Sequence, residues 1–238
     1  MKHCLPLLAL VAIASIPTDA FGAATRNFGI SGYDRIRIDG PYEVRLATGV
    51  APFARAKADR NSALDSVNIR VDGRTLIISK TNSWGGDEGN DGPVVIELGT
   101  HDLSTVWLNG TGTLQIDKVR GMAFDLNITG AGSAQIGAVD IDQVKVGIAG
   151  SGSARLAGRA GKLTAIIRGA SSFDGEGLKA NNADIGAEGP SLIKLTVSDT
   201  AQVDAFGMAN VALQGGPACT VKTQGSASVT GCKKTNRR

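Results

Sequence analysis

The chain has 238 residues, 32 of them glycine, and a formal net charge of +3. This near balance of charge does not indicate a nucleic-acid partner, and so much glycine is incompatible with a helical repeat protein. The length suits one large β domain.

The first 24 residues have the features of a secretory signal peptide. Lys2 and His3 precede an apolar run over 4–16, and small residues follow at 22–24. Such a segment is removed during export, and no later stretch approaches the roughly 20 apolar residues of a membrane-spanning helix. The sequence therefore predicts an exported protein without a transmembrane segment, located in the periplasm, at the cell surface or outside the cell.

Residues 25–100 contain short strands with uneven spacing. Apolar side chains alternate at Ile36 and Ile38, and again at Leu76 and Ile78. Turn signals separate these runs, for example at Asp72-Gly73. We interpret the region as irregular first turns of the same domain, with a separate small β domain as the alternative.

A glycine-rich loop from Thr81 to Pro93 interrupts this region. It contains Trp84 and the acidic segment 87–92, whose oxygen donors and flexible backbone suit calcium. Gly89 stands at the third ligand position of a calcium loop and Leu98 at the twelfth, and neither side chain can coordinate. We therefore expect a solvated loop and no metal or other cofactor, with calcium binding as the alternative.

Seven glycines recur through the last two thirds of the chain at steps of 18 to 20 residues. They are Gly110, Gly130, Gly150, Gly169, Gly189, Gly207 and Gly225. Apolar residues alternate before each glycine, as in Phe124, Leu126 and Ile128, and a second apolar pair follows, as in Leu114 and Ile116. Strict alternation indicates strands with one buried face, and glycine permits the bend between them.

A period of this length indicates a solenoid, since one turn buries too few side chains to fold alone. The predicted fold is an all-β parallel β-helix with turns of about 18–20 residues. It occupies 25–238 as one domain, with irregular turns over 25–100, regular turns over 101–232 and a basic tail over 233–238.

Trp107 provides a candidate binding residue. In the predicted register Val106 and Leu108 point inward, so Trp107 points outward, where an indole can stack on a sugar ring or anchor a partner. Trp84 is the second candidate. The alternative is that the 81–93 loop covers both indoles.

Charged and hydroxyl side chains repeat along the predicted outer surface. Asp174 falls between Arg155 and Lys194 on neighbouring turns, Asp140 falls between Arg120 and Arg159, and Glu188 lies beside Arg168. Such pairs are ordinary surface ion pairs, so no catalytic residue is predicted. A row of Thr113, Ser133, Ser153 and Ser172 either satisfies turn backbone groups or faces a ligand.

Two cysteines, Cys219 and Cys232, remain after removal of the signal peptide. An even number in an exported chain favours a disulfide. A metal pair is the weaker alternative because no histidine accompanies them. The disulfide is our candidate for securing one end of the solenoid.

Three segments of this sequence resemble the head-GIN domains of autotransporter adhesins. They are Ile30–Ile38 (ISGYDRIRI), Val71–Ile78 (VDGRTLII) and Phe173–Leu178 (FDGEGL), together with the Gly-x-Gly-Ser units of the repeat. The resemblance covers nearly all of the mature chain. It implies a right-handed parallel β-helix, an exported location and an adhesive or binding role.

Three functions are compatible with these patterns. The first is a non-enzymatic binding domain for a cell-envelope glycan or surface protein, which we favour. The second is a polysaccharide-active lyase or glycosidase, which the fold class permits only by analogy. The third is an assembly module that joins copies of the chain into a homo-oligomer.

Overall fold

The computed structural model describes residues 24–81 and 92–233. The strands are β1 (Ala24–Phe28), β2 (Arg35–Asp39), β3 (Glu43–Thr48), β4 (Phe53–Ala58), β5 (Val67–Asp72), β6 (Thr75–Lys80), β7 (Val94–Thr100), β8 (Thr105–Gly110), β9 (Thr113–Gly130), β10 (Ser133–Gly150), β11 (Ser153–Gly169), β12 (Ser172–Glu188), β13 (Leu192–Gly207), β14 (Asn210–Gln214), β15 (Ala218–Gly225) and β16 (Ser228–Thr230). One short helix, α1 (Asn61–Asp65), follows β4.

The regular repeats form a parallel β-solenoid, as predicted. Strands β9 to β13 have 16 to 18 residues each and pair in parallel in the order of the sequence. Each strand bends around the core, and register shifts occur within the pairs β10–β11, β11–β12 and β12–β13. Repeats of similar length therefore stack with equivalent residues in contact.

Alternation along each strand produces the hydrophobic core. In β9 the side chains of Phe124, Leu126 and Ile128 are at most 1% exposed, and their counterparts in β10 to β13 are buried as well. Large and small side chains compensate each other between turns. A Cβ at Gly175 would lie 2.6 Å from Leu195, and the ring of Phe173 fills the space beside it.

The repeated glycines stack at one corner of the solenoid. Gly130 pairs with Gly150 in register, and their φ angles are +108° and +118°. A Cβ at Gly130 would lie 2.7 Å from the carbonyl oxygen of Gly110. Both the positive φ and the close approach of successive backbones require glycine here.

The N-terminal strands belong to the same hydrogen-bonded sheet, but their stacking does not follow the sequence. The turn made by β2 and β3 lies between the turn of β6 and β7 and the turn of β8 and β9. Three pairs, β1–β4, β4–β7 and β5–β6, are antiparallel. Uneven strand spacing indicated irregular turns, but it did not reveal this order.

The C-terminal end carries the predicted disulfide. Cys219 and Cys232 are bonded, with their Cα atoms 5.7 Å apart. Cys219 is in register with the buried Ala201 of the turn below, so it stands in an inward column. The backbone N–H of Lys233 donates to the carbonyl of Pro217, which holds the chain beside this bond. Across the described residues, no helix has the length and apolar character needed to cross a membrane.

Candidate functional site

Trp107 lies on the outer surface of the solenoid. Its neighbours Val106 and Leu108 are fully buried, so alternation directs the indole outward, where it is half-buried. In register it stands between Arg37 of β2 and Asn127 of β9. The orientation therefore agrees with the sequence register, while a binding role for the indole stays a prediction.

A cavity of about 400 Å³ adjoins Trp107 on this surface. Its lining combines the indole and an aliphatic side chain with polar groups from β2, β5, β6 and β8: Arg37, Asp72, Thr75, Ile77 and Asn109. Asp39 orients two of these groups. Its carboxylate lies 2.8 Å from Nε of Arg37 and accepts a hydrogen bond of 2.7 Å from Nδ2 of Asn109.

The cavity volume lies within the range of small-molecule sites, and the mixture of one large apolar surface with fixed polar groups is typical of them. We name this region, formed by Trp107 and the five lining residues above, the Trp107 face.

The other candidate aromatic, Trp84, lies outside the described residues. The same applies to Asp87, Glu88, Asn90 and Asp91 of the calcium hypothesis and to residues 1–23 of the predicted signal peptide, which was placed over 1–24. In the part of the chain that is described, no group of three His, Cys, Asp or Glu side chains is arranged to hold a metal ion.

The charged residues lie in the register that the repeat predicts. Asp174 lies between Arg155 and Lys194, and Arg155 contacts its carboxylate at 2.9 Å. Lys194 instead has its carboxylate contact with Glu176, at 3.8 Å.

Asp140 and Glu188 behave in the same way as Asp174. Their carboxylates lie 3.1 Å from Arg159 and 3.0 Å from Arg168, respectively. Carboxylates held in such exposed ion pairs stabilise the surface weakly.

The hydroxyl row also forms. Thr113, Ser133, Ser153 and Ser172 are in register on successive turns. The hydroxyl of Ser153 donates to that of Ser133 at 3.0 Å. The next turn places Leu192 in this column, which ends the row.

Sequence reasoning missed a second and larger depression, of about 510 Å³. It crosses the outward side of β4, β7, β3, β9 and β10, and we name it the Phe53 groove. Residues that line it include Arg45, Phe53, Glu97, Gln115, Gln135 and Gly137. Phe53 occupies an outward position of an alternating strand, which was the only signal in the sequence. The groove itself depends on the pairing of strands that are distant in the chain.

Comparison with known proteins identifies the fold and the family. A family model described as "Putative auto-transporter adhesin, head GIN domain" matches residues 32–217. The structure is similar to that of a putative adhesin from Bacteroides fragilis NCTC 9343, with a TM-score of 0.78 and 15% identity. A putative lipid binding protein from Parabacteroides distasonis ATCC 8503 has a TM-score of 0.65 and 20% identity. In both comparisons 87% of this chain and 95% of the other are covered. No curated protein sequence matches this chain.

Proposed function

Because this chain belongs to the family of putative auto-transporter adhesin head GIN domains, we propose that it is an exported, non-enzymatic binding domain of the cell envelope. Its ligand in this proposal is an envelope glycan that contacts the Trp107 face. The family description supports an adhesive role, and the disulfide between Cys219 and Cys232 supports export, because such bonds persist in oxidising compartments.

The half-buried indole of Trp107 is the observation that carries this proposal. An outward tryptophan beside a cavity provides a flat apolar surface for the apolar face of a sugar ring. Arg37 and Asn109, both held by Asp39, can hydrogen-bond the hydroxyls at the edge of that ring. Trp84 is the second aromatic residue of the proposal.

A non-enzymatic role is supported by the charges of the regular turns. Asp140, Asp174 and Glu188 each contact an arginine of a neighbouring turn. A glycosidase needs two carboxylates that face one bond, one of them free to carry a proton. The ion pairs observed here instead connect neighbouring turns on the outer surface.

The test measures retention of purified protein on immobilised envelope polysaccharides. We expect Trp107→Ala to weaken retention tenfold or more, since truncation of an aromatic anchor costs about 2 kcal/mol. Trp107→Phe should restore part of the binding because it keeps a ring. Ile166→Ala is the matched control, since Ile166 is an outward apolar residue, 46% exposed, that lies three strands along the same register column and outside the Trp107 face.

Three parallel measurements separate the alternatives. Soluble sugar fragments after incubation would indicate an enzyme and contradict the proposal. Retention of a surface-protein extract or of phospholipid vesicles in place of glycan would change the ligand class. Sedimentation velocity reports whether the protein self-associates. If Trp107→Ala keeps both its circular dichroism spectrum and full retention, the Trp107 face is not the binding site.

A further inference from the structure

We infer that the Phe53 groove is a second binding site, which takes an extended, uncharged glycan chain lying along the axis of the solenoid. The groove crosses five neighbouring strands, β4, β7, β3, β9 and β10. At about 4.8 Å per strand it is about 19 Å long, the length of a short oligosaccharide. This inference does not depend on Trp107, because the groove lies across a different set of strand segments.

An aromatic ring closes one end of the groove. Phe53 is 40% exposed although it lies within a strand. A Cβ at Gly99, its partner in register on β7, would overlap the ring, so the ring packs on the bare backbone of Gly99. Gly99 has no positive φ, and its role here is to leave this space. The exposed part of the ring is then available to stack on a sugar.

Each charged side chain that lines the groove already has a partner. Glu97 accepts from Nζ of Lys57 at 2.5 Å, and Arg45 contacts Glu43 at 2.6 Å. The carboxylate of Asp117 accepts from the backbone N–H of Thr48 at 3.0 Å. The charged residues that line the groove are one cation, Arg45, and two anions, Glu97 and Asp117. Because Arg45 is already paired with Glu43, the lining offers no free cation to a polyanion, so the groove suits an uncharged ligand and disfavours a polyuronate.

Two amides supply hydrogen-bonding groups beside these paired charges. Gln115 and Gln135 are in register on β9 and β10, and both side chains are exposed. Neither amide makes a hydrogen bond to another described residue. Each amide offers two donors and an acceptor, which match the donor and acceptor character of sugar hydroxyls. The surface of the groove next to these amides is not covered by a side chain at Gly137.

The binding surface continues beyond Gln135 along the same side of the solenoid. An adjoining depression, of about 320 Å³, shares Gln135 and adds the hydroxyls of Ser133, Ser153 and Ser172 beside the ion pair of Arg155 and Asp174. Polar amide and hydroxyl side chains therefore recur along the solenoid axis, at the spacing of neighbouring strands, about 4.8 Å. A polymer of repeated sugar units, extended across the strands, can use this repetition, whereas a compact small molecule uses only one position.

Isothermal titration calorimetry with defined oligosaccharides tests the inference. The probes are cellohexaose, laminarihexaose and mannohexaose, with an oligogalacturonide of the same length as the charged comparison. We expect at least one neutral hexasaccharide to bind with a Kd below about 1 mM and the oligogalacturonide to bind at least tenfold more weakly.

Variants then place the ligand on the surface. The double variant Gln115→Ala and Gln135→Ala should weaken binding about tenfold or more, because two hydrogen bonds to the ligand are lost. Gln143→Ala is the matched control, since Gln143 is an exposed glutamine on β10 outside the groove. Both changes are at exposed positions, so folding is retained and can be checked by circular dichroism.

The outcomes are distinguishable from those for the Trp107 face. Binding that is lost in the glutamine double variant but kept in Trp107→Ala supports the Phe53 groove. Binding that is lost only in Trp107→Ala overturns this inference and leaves the proposed function intact. The inference is also overturned if none of the neutral hexasaccharides binds, or if the oligogalacturonide binds as well as they do.

Discussion

Replacement of Gly150 by alanine tests the reason for the glycine repeat. Gly150 has a φ of +118° and stands on the stacked corner between Gly130 and Gly169. A Cβ there would lie 2.5 Å from the carbonyl oxygen of Gly130. That oxygen accepts the N–H of Ser151, so it cannot move away without weakening the hydrogen bond between turns.

The expected loss of stability is about 3 kcal/mol. Holding a residue with a Cβ at positive φ costs roughly 1–2 kcal/mol. Forcing an additional atom into a packed position costs roughly 1–3 kcal/mol more. For a chain of this size, about 3 kcal/mol lowers the melting temperature by about 6–12 °C.

Gly186→Ala provides the matched control. Gly186 lies on the outer side of β12 without positive φ, and a Cβ there would meet nothing within 4 Å. Alanine at this position should be neutral or should stabilise the protein by about 0.5–1 kcal/mol. Guanidinium unfolding followed by circular dichroism measures both variants. If Gly150→Ala unfolds at the same denaturant concentration as Gly186→Ala, backbone crowding at the corner is not what requires glycine.

Two further predictions concern the C-terminal disulfide and a buried tyrosine. Replacing Cys219 and Cys232 by serine should lower the free energy of unfolding by about 3 kcal/mol, because the bond closes a loop with a separation of 13 residues. If reductant leaves the unfolding midpoint of the unsubstituted protein unchanged, the disulfide does not supply this stability. Burial raises the pKa of Tyr33 above its ordinary value of 10.0. The folded state therefore binds the phenol proton more tightly than the unfolded state does. The free energy of unfolding keeps its full value below about pH 10 and falls as the pH rises further, because the unfolded state then releases the proton first. Tyr33→Phe should remove that alkaline loss without lowering stability at neutral pH, since the buried hydroxyl has no hydrogen-bond partner among the described residues. A denaturation series from pH 8 to 11 measures both effects.

The repeat could be predicted because each turn carries its own local signals. Alternation identified Phe124, Leu126 and Ile128 as inward residues, and all three are buried. The same register aligned Asp174 with Arg155. Both results follow from a period of two along a strand and a nearly constant number of residues per turn, which a single sequence displays directly.

The irregular region could not be ordered from local signals. The insertion of β2 and β3 between the turn of β6 and β7 and the turn of β8 and β9 depends on which strand edges meet, and spacing does not encode that choice. The Phe53 groove is a consequence of it. Phe53 and Gln135 lie 82 positions apart and border one groove because β4, β7, β3, β9 and β10 happen to be neighbours.

The sequence by itself determined the solenoid, its inward residues, the disulfide partners and the outward position of Trp107. These features depend on short-range periodicity and on the residue types that a bend or an exported chain requires. Only the tertiary structure decided which outward residues share a surface, how the first strands stack, and where Phe53 and Gly99 leave room for a groove. Contacts between distant strands produce those properties, and each is set by the pairing of whole strands rather than by any local run of residues.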